Sequence, residues 1–350
     1  MWQIHGQDHI LKQIEPGLQE GRLAHAYLLT GPPHVGKMTL ALALAQSVNC
    51  QQSAHPPSAE VVQGVTAPCG NCAQCRRIAQ GNHADVRVVG VKQREENGPT
   101  RTVIGIGDVK EALHQVNLKP FEGACTVIIF DGAELMSEEA ANALLKVLEE
   151  PPPQVLILLL TTNEDALLLT VKSRCRRLGL LPAPRERIAE ALRVEHDVAP
   201  LAAERLARLS RGCLGWAISA AQDPQKLEQR EADLEQLQEV YQGGLEERFS
   251  YAAELASRFQ RDRDAVKEVL FLWLGWWRDL VLIKEGGEEY VLNQDQLDRL
   301  RRQASQLSTA QTVRFIHALN ETLEALDSNA NARLALEVLM LDLPPVKTEP

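Results

Sequence analysis

The most restrictive feature is one octapeptide. Gly31-Pro32-Pro33-His34-Val35-Gly36-Lys37-Met38 directly follows a short apolar run, 26–30 (AYLLT), and opens a helical pattern. A strand, a GxxxxGK loop and a helix together make a phosphate cradle. The glycines let backbone N–H groups turn inward, the lysine adds charge, and the helix aims its positive end at the same point. Gly31, Gly36 and Lys37 are therefore candidate nucleotide contacts, with ATP the candidate ligand. The next position ordinarily gives Mg²⁺ a hydroxyl. Here it is Met38, and Thr39, one residue further along a helix, points about 100° away. The pattern predicts P-loop ancestry without competent hydrolysis.

Three more apolar runs, 86–90, 126–130 and 155–161, lack inside–outside alternation. That is expected of strands buried on both faces of a parallel sheet. The run 126–130 ends in Asp131, which suits an acidic Mg²⁺ site. Gly132 follows, so a second catalytic part is missing: the glutamate that would polarise water. Glu134, two residues later, reads as a helix-start or surface charge. Ser137 caps a helix with Glu138 and Glu139 in its first turn, apolar residues at 141, 144, 145 and 148, and a stop at Pro151-Pro152-Pro153. Beyond 184 the strand signal fades into short helices punctuated by Pro200 and Gly212, then long ones. Residues 270–283 are too apolar for a surface helix. Trp273, Trp276 and Trp277 share one helical face there, which favours packing over base stacking. The charged stretch 226–248 reads as a solvated face. Domains are expected at 1–180, 181–222 and 223–350.

Charge bears on partners. With 37 basic and 47 acidic residues the net charge is −10, against a protein that coats DNA by bulk charge. No apolar run of 18 residues suggests a membrane span. The first residues have neither the basic nor the apolar region of a secretory signal. A cytoplasmic protein is expected.

The seven cysteines agree with a reducing compartment. Cys69, Cys72 and Cys75 lie in PCGNCAQC, a tight turn that brings three thiolates onto one ion. Zinc takes four N or S ligands in a tetrahedron. Cys50 is the leading fourth ligand, with His55 and His83 as alternatives. Four protein ligands leave no open position, so a structural zinc module over about 50–76 is expected. The competing reading is redox or loose surface thiols. Cys125 and Cys175 read as small buried residues.

Together GRLAHAYLLTG (21–31), the four-cysteine insertion, AANALLKVLEEPP (140–152) and SRC (173–175) resemble the bacterial clamp-loader ATPase family. The resemblance is close over about 4–180 and weaker over LDSNANARLALEVLML (326–341) and WLGWWRDL (273–280). It implies an α/β P-loop AAA+ domain with a zinc module, a small helical lid and an all-α collar. It implies that Arg174 is an arginine finger directed at ATP on a neighbouring subunit; a structural arginine paired with a local acid is the competing reading. The partners implied are clamp-loader subunits of the gamma/tau and delta type in a five-membered ring, the sliding clamp, and primed DNA through the complex. A polar sensor falls near Thr161-Thr162-Asn163, Trp216 stands where the lid of a motor subunit has arginine, and Ile4-His5-Gly6-Gln7 falls near the adenine. Met38, Gly132 and Trp216 separate this chain from the motor subunits. A gamma/tau-like ATPase active in cis and a purely structural scaffold are the rival readings.

Overall fold

The computed structural model describes residues 2, 4–52, 67–91, 103–116, 118–328 and 330–345. The chain divides into two compact units, Met1–Ile218 and Ser219–Pro350.

The first unit holds five parallel strands, β1 (Ala26–Thr30), β2 (Val86–Val89), β3 (Thr126–Asp131), β4 (Val155–Thr161) and β5 (Arg176–Gly179), in the order β2-β3-β4-β1-β5. Alternate residues of the central strands enter opposite cores. Leu28, Ile128, Phe130, Ile157 and Leu159 pack with Val109, Ala112, Leu144 and Leu148 of helices Ile106–Val116 and Glu138–Glu149. Tyr27, Leu29, Val127, Ile129 and Leu158 pack with Ile10, Ile14, Leu40, Leu44 and Ile78 of helices Asp8–Gln19, Lys37–Asn49 and Ala73–Ala79. Burial on both faces is why β1 and β4 read as unbroken apolar runs. Strand β5 escapes sequence reading for the opposite reason. It pairs with β1 alone, and of Arg176, Arg177, Leu178 and Gly179 only Leu178 is buried. Helices Arg185–Glu195, Pro200–Leu209 and Leu214–Gln222 follow, with Pro200 at the first helical position, where its missing N–H costs nothing.

A polar knot fixes the edge of this sheet. Buried Asp85 accepts the N–H groups of Phe121, Glu122 and Gly123 at 2.7, 2.8 and 2.7 Å. Burial opposes the charge, but those three bonds hold the carboxyl below the ordinary carboxylate range. A depressed folded value stabilises above the unfolded pKa of about 3.9 and is lost as pH falls through the folded one. Asp85→Asn should therefore destabilise the first unit by about 3 kcal/mol near neutral pH. The gap from wild type should close in acid, as chemical denaturation at pH 7 and below pH 3.5 will show.

The second unit is all helical: Gln225–Gln242, Leu245–Arg261, Arg263–Lys284, Leu297–Gln306, Thr309–Asp327 and Ala332–Asp342. Side-chain caps start three of these helices, from Asp262, Ser308 and Asn331. Trp273, Trp276 and Trp277 are fully buried, as their spacing predicts. The Trp277 ring lies 4.5 Å from that of Phe315, and Trp273 stacks on Tyr251 at 5.8 Å. The stretch 226–248 is not wholly a solvated face. Arg248 is buried, donating to Leu343 O at 2.9 Å and Tyr241 O at 3.1 Å. Its charge meets the carboxyl end of helix Ala332–Asp342, where the helix dipole favours a cation. Among the described residues no helix is long and apolar enough to cross a membrane.

Candidate functional site

The phosphate loop leaves β1 at Gly31 and enters helix Lys37–Asn49 through Gly36, whose φ is +107°. Lys37 Nζ donates to the carbonyls of Gly31 and Pro32 at 2.7 and 2.8 Å. The loop thus closes on its own lysine. Burial lowers the Lys37 amine from its ordinary range, against the pull of Glu134 and Asp131. Met38 packs against the core, and Thr39 is exposed. The start of helix Leu214–Gln222 meets the same loop. Gly215 N donates to His34 O at 3.0 Å, and a Cβ at residue 215 would stand 2.8 Å from that oxygen. Trp216 follows directly. Gln7 ties the amino-terminal segment to the end of β5, donating to Leu181 O at 2.6 Å and accepting from Leu181 N at 3.1 Å. A cleft of about 500 Å³ opens beside the loop, lined by Thr30, Gly31, Thr162, Arg177 and Leu180 among others. It lies at the carboxyl ends of parallel strands, where ligands bind in open α/β sheets.

Asp131 ends β3 at this rim. Gly132 has φ +78°, a left-handed conformation that favours glycine, and a Cβ there would approach Leu135 Cδ1 at 3.1 Å. The backbone itself thus disfavours a glutamate at residue 132. Glu134 is the site residue that sequence reading misses. It is not a free surface charge: its Oε1 accepts from Thr162 N at 2.9 Å and Thr162 Oγ1 at 2.6 Å. It therefore joins the acidic turn to the expected sensor position. Its only sequence signal is its place three residues after Asp131. His25 bonds Leu148 O at 2.9 Å, a satisfied polar residue as expected.

Arg174 lies between the four-residue helix Leu169–Lys172 and β5, with its side chain 35% exposed. Nη2 pairs with Glu149 Oε1 at 2.7 Å, and Nη1 donates to Thr170 O at 2.9 Å and Ser173 Oγ at 3.3 Å. Leu169, 76% exposed, stands on the same short helix.

Helix Lys37–Asn49 runs from the phosphate loop straight to Cys50. The sulfurs of Cys50, Cys69, Cys72 and Cys75 all lie within 4.8 Å of one another. Cys69 Sγ and Cys75 Sγ are 3.9 Å apart. A tetrahedron with Zn–S bonds of about 2.3 Å has edges of about 3.8 Å. The N–H groups of Cys72 and Cys75 donate to Cys69 Sγ and Cys72 Sγ at 3.3 and 3.4 Å, which orients those thiolates. Burial opposes ionisation of Cys72, but the hydrogen bonds prevail and lower its pKa; burial pushes Cys75 up. His83 is not part of the cluster. Its Nδ1 accepts from Asp85 N at 3.1 Å and its Nε2 meets Gln74 Oε1 at 2.6 Å, so the bonding assigns the neutral Nε2–H tautomer. His55 lies outside the described residues. Burial raises Cys125 and Cys175 to about 12, which makes both poor nucleophiles.

A family model described as DNA polymerase III, delta subunit, matches residues 6–184, more than half of the chain. The chain belongs to the DNA polymerase III delta subunit family. The family's carboxyl-terminal model matches residues 224–344. This delta-family chain is 28% identical over 337 residues to DNA polymerase III subunit delta' of Bacillus subtilis, covering 96% of both chains. It is 35% identical over 224 residues to subunit tau of Escherichia coli, covering 62% of this chain and 31% of that longer one. Among solved structures, a gamma subunit-related protein of Thermotoga maritima aligns over 95% of this chain and 98% of its own, at 18% identity and a TM-score of 0.42.

Proposed function

We propose that the chain is a delta'-type clamp-loader subunit that does not hydrolyse ATP itself and completes the ATP site of a neighbouring motor subunit with Arg174. The observation that carries this is the contrast between the two sites. The cis site has the partly buried Met38 packed against the core, Lys37 held by loop carbonyls and left-handed backbone at Gly132. Arg174, by contrast, is partly exposed and held in one orientation. Phosphoryl transfer builds charge on the equatorial oxygens, and a fixed guanidinium stabilises it.

In this reading the first unit contains the AAA+ domain, 1–180, and the lid, 181–222 reaching slightly beyond it. Residues 223–350 form the collar that joins a five-membered ring with gamma/tau and delta type subunits. The ring places the sliding clamp on primed DNA in the cytoplasm. Cys50, Cys69, Cys72 and Cys75 hold a structural zinc that fixes the far end of the phosphate-loop helix. Gly31, Gly36, Lys37 and Asp131 are remnants of a nucleotide site, and ATP bound there would serve structure and not turnover.

The purified chain tests the cis half of the proposal. Without partners it should show no ATP turnover above the blank, in a coupled phosphate-release assay with Mg²⁺. Steady turnover abolished by Lys37→Ala would favour the cis ATPase.

A further inference from the structure

We propose that Glu149 is a positioning residue for Arg174, holding its guanidinium in the orientation that a neighbour's nucleotide meets. This rests on the arginine-finger reading. Arg174 is fixed from two directions: Nη1 by the Thr170 carbonyl and Ser173 Oγ, from the short helix just before it and its cap, and Nη2 by Glu149, from another element. The hydrogen bonds engage Nη1 and the ion pair sits at Nη2, which leaves Nε–H for an anion, so the guanidinium is oriented without being used up.

Glu149 can do this because its own position is fixed. It ends helix Glu138–Glu149, whose start is held by Ser137 Oγ accepting from Ala140 N at 3.2 Å. At the other end Glu150 N bonds Lys146 O at 3.1 Å, and Pro151-Pro152-Pro153 stop the helix there. Leu144 and Leu148 hold the helix against the sheet. Glu149 itself is 51% exposed, so the pair is solvated on both sides and contributes little to fold stability. A contact with little structural value that restrains a long cation favours a role in preorganisation. An arginine otherwise loses its side-chain freedom when it meets the phosphate, and that ordering cost falls on the transition state.

The test uses reconstituted complexes with clamp and primed DNA. Wild type, Glu149→Ala, Glu149→Gln, Arg174→Ala and Glu149→Ala/Arg174→Ala are compared for kcat and KM of ATP hydrolysis. Glu149→Ala should lower kcat about five-fold with KM unchanged. Glu149→Gln keeps an acceptor for Nη2 and should recover at least half of the lost rate. The double variant should match Arg174→Ala, because Glu149 acts only through that arginine. Assembly and thermal melting should be unchanged throughout. Wild-type kcat in Glu149→Ala, alongside a loss in Arg174→Ala, would overturn the positioning role and leave the finger standing. A double variant slower than Arg174→Ala would also overturn it, by showing that Glu149 acts elsewhere. Wild-type kcat in Arg174→Ala would remove the finger itself, and Glu149's role with it.

Discussion

Arg174→Ala should lower ATP turnover at the site this chain completes by about 10³-fold, the low end for loss of an arginine finger. The side chain is 35% exposed, and its partner Glu149 is more exposed still, so truncation should leave folding and assembly intact. Lysine is not a conservative replacement. It keeps the charge but loses the planar fork that bonds Thr170 O, Ser173 Oγ and Glu149 together. Arg174→Lys should recover only a small part of the lost rate. Steady-state hydrolysis by the assembled complex, with clamp and primed DNA, reads both variants.

Cys75→Ser should release the metal and unfold the neighbourhood of the cysteine cluster. Cys75 is fully buried, and Gln46 Nε2 donates to its carbonyl at 2.9 Å, tying helix Ala73–Ala79 to the phosphate-loop helix. A serine hydroxyl is a poor zinc ligand, and the other three sulfurs would stay crowded within 4.8 Å without a cation between them. Structural zinc contributes on the order of 10 kcal/mol to small metal-dependent folds. Here the sheet core remains, so the expected loss is a melting temperature lower by about 10 °C, in a unit of this size. Elemental analysis should give one zinc per wild-type chain and none in the variant. A zinc-free wild-type chain with unchanged melting would contradict the assignment.

How much of this was legible beforehand differs by element. The central strands were, because burial on both faces writes an unbroken apolar run into the chain. Strand β5 was not, because an edge strand carrying Arg176 and Arg177 looks like a loop. The cysteine cluster was legible from spacing, since a short turn can place three thiolates on one ion. The choice of Cys50 over His83 was not settled by spacing. It needed the bond that His83 Nε2 donates to Gln74 Oε1 and the one its Nδ1 accepts from Asp85 N, which occupy both imidazole nitrogens. Met38 and Gly132, at the positions where a hydrolysing site has a hydroxyl and a glutamate, were visible. That backbone geometry at residue 132 itself disfavours a side chain was not, because no sequence prints a φ of +78°. Glu134 does stand at a helix start, in the turn Ala133–Leu135, but its bonds to Thr162 are not legible in the sequence, and Arg248 is buried where a solvated face is expected. Each is held by groups distant in sequence, Glu134 by Thr162 and Arg248 by Leu343.

The central claim is that this chain acts on a neighbour's nucleotide and not on its own. A double-mutant cycle across the subunit boundary tests it most directly, by measuring stimulated ATP turnover in complexes that combine Arg174→Ala with loss of the phosphate-loop lysine in the adjoining motor subunit. If Arg174 serves that subunit's ATP, the second change should add no further loss to the first. Two losses that multiply would place the effect of Arg174 somewhere other than the neighbour's site and contradict the account.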